Sequence, residues 1–464
     1  KGEVLTISGT PAGALTYKGG NGGDTIVMSS AATGDNITTG TGTNVITAAA
    51  NISYLDTIVG GGTDILTATS LADVDLQNVT GVEVIYSTTG ATLGAFSDAA
   101  GVVQVRAMDT GAVDATTRTN GLTVFSYSAQ TDTWTGGSGD DNFIFDSAGT
   151  AVAADTIVGG LGANTITLDN ETGSDSGTTG EAVTAILDRI SQIQKIVVDD
   201  SATDNAAGDV SLTIQNAAYD QTSLEVDASA LDAGEVFTFD ASAITQTDEA
   251  FVVTGGADAD SITGGSGADT ITGGSGADVI TGGIGADSLT GGAGADDFVY
   301  AVTTTNTVST SAKTDTIADF TTTSDEIKLN VTAATGAYNV DFNDKGDAAS
   351  IADGLALLSG VKGEYFFNTG TGQLVVDLDG NGLIQATDLV INMTGLEEFT
   401  SADVDVTLTG VDTASSIKMG GGTDTVSITT SNVDFTGETI SGIEKFTATE
   451  DEDITIDAAD LSTN

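Results

Sequence analysis

Between Gly255 and Val299 a large apolar residue returns every nine positions, at Ile262, Ile271, Ile280, Leu289 and Phe298. Each sits in the same polar frame, GGADADSIT, GGSGADTIT, GGSGADVIT, GGIGADSLT and GGAGADDFV, or G-G-x-G-x-D-x-U-x with U the apolar residue. A nine-residue period does not match the turn of a helix. It matches a glycine turn followed by a three-residue strand whose central side chain points inward, so that two units close one coil of a flattened, right-handed parallel roll. The competing reading is a flexible Gly/Ala/Asp linker, and five apolar residues in phase argue against it.

The same theme recurs in looser form from residue 19. GGNGGDTIV (19–27) is a full match carrying Asp24, whereas AATGDNITT (31–39) and TGTGTNVIT (39–47) are read with Asn36 and Asn44 in place of the aspartate. An amide there can bridge turns by hydrogen bonding without charge. GGSGDDNFIF (136–145) brings Asp140 and Asp141 near the sixth position.

A longer unit, VGGGTDILTATSLADVDLQNVTGVEVIY (59–86), returns as MGGGTDTVSITTSNVDFTGETISGIEKFT (419–447). Asp64 and Asp424 follow the glycine turn as candidate metal ligands, and V-T-G-V-E-V-I or I-S-G-I-E-K-F forms the second strand. A middle copy over 159–197 has Asn164 and Gln194 where the others have acids. Residues 182–193 carry helical spacing, but the parallel with the other copies predicts a strand in the second half, alone or after one helical turn.

Stacked coils would line up Asp260, Asp278 and Asp296 in one column, and Asp269 and Asp287 in another, about 4.8 Å apart. Unit charges that close repel by about 3–4 kcal/mol per pair at an effective dielectric near 20. A hard divalent cation between turns reverses the sign, taking carboxylate oxygens from the aspartates and carbonyl oxygens from Gly264, Gly273, Gly282 and Gly291, a shell that suits calcium.

Composition narrows the function. The 464 residues carry 67 acidic and 12 basic side chains, a formal charge of −55, and neither cysteine nor histidine. Disulfides, thiolate sites, the HExxH zinc motif and the Ser-His-Asp triad are therefore excluded. Nucleic acid is a poor partner for such a polyanion, and no apolar stretch is long enough to span a bilayer. The start at Lys1, without methionine or a signal peptide, suggests a processed or excised piece.

The nonapeptides closely resemble the RTX calcium-binding repeats of exported bacterial proteins. That resemblance implies a β-roll holding several calcium ions, type I secretion, and folding after exit into calcium-rich surroundings. Asp258 departs from the pattern by replacing the fourth-position glycine of the first repeat, which implies either a distorted turn or an extra ligand. The GGTD-x-L, NVTGVE and VDASAL phrases are similar to those of RTX-bearing bacterial surface-layer proteins. TDTIADFTTTSDEIKLN (314–330) resembles the segment closing the roll in serralysin-type C-terminal modules, where acids complete the last calcium sites; by position these are Asp315, Asp319 and Asp325, with ordinary turn aspartates as the alternative.

Beyond the roll, residues 347–359 predict a helix capped by Asp347, with Ile351, Leu355 and Leu358 on one face. DLDGNGLIQATD (377–388) fits a calcium loop, with Asp377, Asp379 and Asn381 as side-chain ligands, a bend at Gly382, the Leu383 carbonyl, and Asp388 at the twelfth position. A tight turn closing a hairpin is the other reading, since no helix precedes the loop and the twelfth residue is Asp rather than Glu.

These readings give an all-β chain, a parallel β-roll or β-solenoid with calcium-binding turns, plus a small capping region with one short helix. The expected divisions are degenerate coils over 1–130, a second solenoid segment over 131–250, the nonapeptide roll over 251–300, the capping region over 301–410 and a terminal repeat over 411–464. The expected function is a secreted structural protein that assembles with itself on the bacterial surface, with cell-surface glycan or lipopolysaccharide as a second candidate partner. Alternatives are a calcium-rigidified adhesin, or the non-catalytic module of a larger RTX exoprotein. An enzyme using paired carboxylates, as glycosidases do, ranks third, with Trp134 the sole indole available to stack on a sugar.

Overall fold

The structure, a computed structural model, describes residues 4–5, 13–28, 34–48, 52–107, 112–126, 131–146, 155–169, 183–187, 189–199, 209–215, 222–303, 306–307, 314–332, 338–342, 344–359, 361–385, 388–409, 414–419, 421–428, 433–434, 439–448, 454–455 and 461–462. The chain divides into two compact units, Lys1–Ala230 and Leu231–Asn464.

In the first unit each coil contributes short Thr-, Val- and Ile-rich strands, residue types that suit a pleated, half-buried surface. Thr25–Val27, Thr43–Thr47, Thr63–Ala68 and Val84–Ser87 pair in parallel, and the ladder continues through Gln104–Ala107, Thr123–Ser126, Asn142–Asp146, Thr165–Asp169 and Lys195–Asp199. Their register stacks Ile26, Ile46, Leu66, Ile85, Val105, Val124, Phe143, Ile166 and Ile196 in one buried row. Each such side chain contributes about 1.5–3 kcal/mol of burial. A second row runs through Ala91, Val113, Trp134, Ile157 and Ile190.

Trp134 is therefore core, stacked on Phe143 and Phe145 with ring centroids 5.9 and 5.0 Å away, and it is not available to a sugar. Within residues 182–193, Val183–Leu187 and Ile190–Ser191 are strand, with no helical turn among the described residues; Ala182 and Asp188 lie outside them.

The second unit contains the nonapeptide roll. Ala250–Thr254, Thr270–Ser275 and Ser288–Ala293 form one parallel sheet, and Ser261–Thr263, Val279–Thr281 and Asp297–Thr303 the other. Ile262 pairs with Ile280 and Ile271 with Leu289, so two nonapeptides make one coil as expected. After the roll the sheet order changes: Tyr365–Asn368, Gln373–Val376 and Leu389–Met393 are antiparallel, and Met393 pairs with Ile317 to join them to the stack. Phe298, Phe320, Phe399 and Phe367 close that end, successive ring centroids lying 6.1, 5.9 and 5.6 Å apart.

The expected helix is shorter than its periodicity suggests. Only Ile351–Leu355 is helical, and its cap is Ser350, whose hydroxyl accepts the Asp353 N–H; Asp347 lies in the strand Asp344–Ala348, paired with Phe367. Sheet pairing claims the residues that would have begun the helix. The apolar face was read correctly: Ile351, Leu355 and Leu358 pack against Ala348, Phe366, Val375 and Val390. A second short helix, Ala95–Ala100, went unread; the Asp73 carboxylate accepts the N–H groups of Gly94, Phe96 and Ser97, and Gly101 ends it with φ +92°. Among the described residues no helix is long and apolar enough to cross a membrane.

Candidate metal centres

The sixth-position aspartates form two buried ladders. In one, the main-chain N–H of Asp260 donates to Oδ1 of Asp278 (2.8 Å), that of Asp278 to Asp296 (3.0 Å) and that of Asp296 to Asp325 (3.2 Å). In the other, Asp269 donates to Asp287 and Asp287 to Asp315, each at 2.9 Å. These are the two columns the repeat phase required. Asp315 and Asp325 are their last rungs, whereas both oxygens of Asp319 accept backbone N–H groups, from Gly291 and Gly292, making it a cap on the final turn. The Asp258 carboxylate accepts the N–H groups of Gly234 and Ala259.

The second carboxylate oxygen shows what each turn lacks. A Cβ built on Gly255, Gly264 or Gly273 would stand closer than 3.0 Å both to Oδ2 of Asp260, Asp269 or Asp278 and to the carbonyl oxygen of Gly273, Gly282 or Gly291 one coil on. Two oxygens thus border the same small space, and glycine keeps it open. Oδ2 of Asp278 and of Asp296 accepts no hydrogen bond among the described residues, although both side chains are buried. At Asp278 an anionic and a carbonyl oxygen converge with no hydrogen between them, while Oδ2 of Asp260 and of Asp269 also accepts an N–H, from Gly256 and Gly265; the all-oxygen donor set suits calcium. Gly264 is the one predicted carbonyl donor whose visible part is different: its missing side chain makes room for Asp269 and Gly282.

The electrostatics agree. Burial, then the charges of Asp260 and Asp296, pushes the Asp278 carboxyl up to about 7, and burial also raises Asp260, Asp269 and Asp296.

In the first unit the ladder mixes acids and amides. Asp24 donates its N–H to Oδ1 of Asn44 (2.9 Å), while Asn44 Nδ2 donates to the carbonyls of Gly40 and Gly42. Asp24 Oδ2 is buried without a hydrogen bond among the described residues. Burial raises the Asp64 pKa. Asp141, not Asp140, is the inward residue: it accepts the Leu122 and Gly137 N–H groups, while Asp140 accepts that of Ala163.

One register shifts by a residue. Asp35 is buried and accepts the Leu15 N–H, while Asn36 is exposed, because alternation places the ladder residue two positions before the inward Ile37. Asp56, Asp132 and Asp155 were missed. Asp35 donates to Asp56 and Asp132 to Asp155, and the shared phrase D-T followed by Ile58, Trp134 or Ile157 was the available signal.

The loop 377–388 closes a hairpin, Val376 pairing with Leu389, as the second reading expected. Carboxylate oxygens of Asp377, Asp379 and Asp388 lie within 4.8 Å of one another. The hairpin itself brings the first and twelfth positions, Asp377 and Asp388, together. Asn381 turns its amide toward Asp379, and Leu383 is exposed with its N–H on Asn381 Oδ1. Burial, then Asp379 and Asp377, raises Asp388 to about 6.

At the chain's far end Asp424 is buried; Oδ1 accepts the Val406 N–H and its own N–H donates to Glu444. Burial, then Glu444 and Asp405, pushes it to about 7.

Residues 215–406 match the family model described as the peptidase M10 serralysin C terminal, and 153–170 match the RTX calcium-binding nonapeptide repeat (4 copies). No curated protein matches the chain. The first match contains the roll, the aspartate columns and the loop 377–388; the second contains Asp155 and Asn164. RTX repeats bind calcium at multiple sites, RTX proteins leave the cell by type I secretion, and the serralysin C-terminal module is non-catalytic. The chain is an RTX protein with a serralysin-like C-terminal module.

Proposed function

We propose that this calcium-binding protein is a non-enzymatic building block that assembles with itself into a sheet or filament on the bacterial surface, with cell-surface glycan or lipopolysaccharide as a further contact. The supporting observation is where its few cations go. Lys195 bridges Glu225 and Asp227, Lys328 bridges Asp297, Glu326 and Asp405, Lys345 meets Glu364, and Arg118 is buried against Asp98. Four of the twelve basic side chains are engaged this way, and the other eight stand against a formal charge of −55. Association between such surfaces calls for bridging divalent ions.

Electron microscopy of the purified chain with calcium and with chelator tests this reading. Ordered sheets or filaments that appear only with calcium support it. A chain that stays monomeric at millimolar calcium, yet loses β-structure under chelator, is instead an adhesin or secretion module.

A further inference from the structure

Three asparagines precede a glycine, Asn21, Asn120 and Asn381, and all three are exposed. In such a pair the glycine nitrogen can reach the side-chain amide carbon, because no side chain on the glycine shields it. Around Asn381, in the loop 377–388, the chain also supplies a partner for each group that reaction would use. The Leu383 N–H donates to Asn381 Oδ1 (2.7 Å), which curls the side chain over the Gly382 peptide. Asn381 Nδ2 donates to Oδ2 of Asp379 (2.7 Å), and the Gly382 N–H donates to Oδ2 of Asp377 (2.8 Å). Gly382 has φ +69°, and a Cβ there would meet nothing within 4 Å, so the bend is uncrowded.

These contacts are the parts of an intramolecular acyl transfer. The amide oxygen, where negative charge collects as the carbon is attacked, already faces an N–H donor. The attacking nitrogen already faces a carboxylate that can take its proton. At Asn21 the corresponding Gly22 N–H donates to the Thr41 carbonyl instead (2.7 Å), an acceptor that takes up no proton in neutral water.

We propose that Asn381 is a self-modification site, at which the folded loop promotes deamidation of its own side chain through a cyclic imide. Gly382 N gives its proton to Asp377 and bonds to Asn381 Cγ. The Cγ–Nδ2 bond then breaks, and the nitrogen leaves as ammonia with that proton, returned from the carboxylate through water. A second water opens the imide at either carbonyl, leaving aspartate or isoaspartate at position 381; water is exchanged for ammonia and nothing is oxidised or reduced. Aspartate adds a fourth acid to Asp377, Asp379 and Asp388, whereas isoaspartate lengthens the backbone at the bend. Either product changes the loop's charge as the protein ages.

The full chain is incubated at neutral pH over a series of calcium concentrations at which circular dichroism shows the β-structure intact, with a parallel sample unfolded in urea. Peptide mapping by mass spectrometry follows Asn21, Asn120 and Asn381, and enzymatic methylation of isoaspartate counts the isomerised product. Within the series Asn381 should deamidate several-fold faster than Asn21 and Asn120, and several-fold faster than it does in urea. D377N should slow it about tenfold or more while the circular dichroism stays the same. The comparison with urea uses the wild-type chain and holds even where D377N fails to fold. A rate at Asn381 no faster than in urea at every calcium level, or one that a folded D377N leaves unchanged, overturns the proposal.

Discussion

Oδ1 of Asp296 accepts the main-chain N–H of Asp278 at 3.0 Å across one whole coil, while Oδ2 of the same buried carboxylate accepts nothing among the described residues. Asp278 shares this split, whereas Oδ2 of Asp260 and of Asp269 also accepts an N–H, from Gly256 and Gly265.

The first consequence is a pH dependence of unusual sign for a carboxylate-rich fold. Asp278 and Asp424 are raised to about 7 and Asp388 to about 6, from 3.8. The folded state then holds these protons more tightly than the unfolded state does, so without calcium stability is greatest below the unfolded value and falls as pH rises through the folded ones. Melts in chelator should show a higher Tm at about pH 5 than at about pH 8, with added calcium restoring the loss at the higher pH. A chelated protein that is firmer in alkali than in mild acid contradicts this.

Asp278→Asn and Asp278→Ala separate the two halves of the side chain. The amide keeps the acceptor for the Asp260 N–H and removes the buried charge, so in chelator it should gain about 1 kcal/mol, a Tm rise of about 2–4 °C. Alanine leaves that N–H unmet and should cost about 1–3 kcal/mol in calcium. Equal Tm values for the two variants in both conditions would show that the ladder bond contributes nothing.

Gly273→Ala should damage ion binding more than its size implies. Its Cβ would stand closer than 3.0 Å to Asp278 Oδ2 and to the Gly291 carbonyl oxygen, the two atoms a cation would bridge. Overpacking of about 1–3 kcal/mol is expected, together with weaker calcium binding in a titration. Gly20→Ala is the control, since a Cβ there meets nothing within 4 Å.

Asp388→Ala should remove a single ion while leaving the roll's circular dichroism in calcium unchanged, because the loop hangs on a hairpin held by the Val376–Leu389 pairing. The check is stoichiometry by dialysis. Loss of more than one ion would mean that the loop supports the roll.

Legibility followed periodicity. The columns, the inward rows and the amide at Asn44 were readable because each depends on a repeat that fixes which side chains point in. Asn36 was misjudged by one position, and in a structure of period two a single step exchanges inside for outside. Asp347 could not be told from a helix cap because its fate is decided by Phe367, twenty residues away on another strand. The role of Asp319 was equally hidden, since nothing local to TDTIADF reveals that two glycine N–H groups of the preceding turn need acceptors.

The ladder has a direction. Every rung lends its carboxylate to the coil before it, as Asp325 does for Asp296 and Asp315 for Asp287. Trimming the roll at its amino end leaves carboxylates that water can hydrate, whereas trimming residues 315–325 strands buried amide hydrogens, each at a cost of about 1–3 kcal/mol. A coil's amides are met only once its successor stands, so each rung of the roll leans on the one that follows it in the chain.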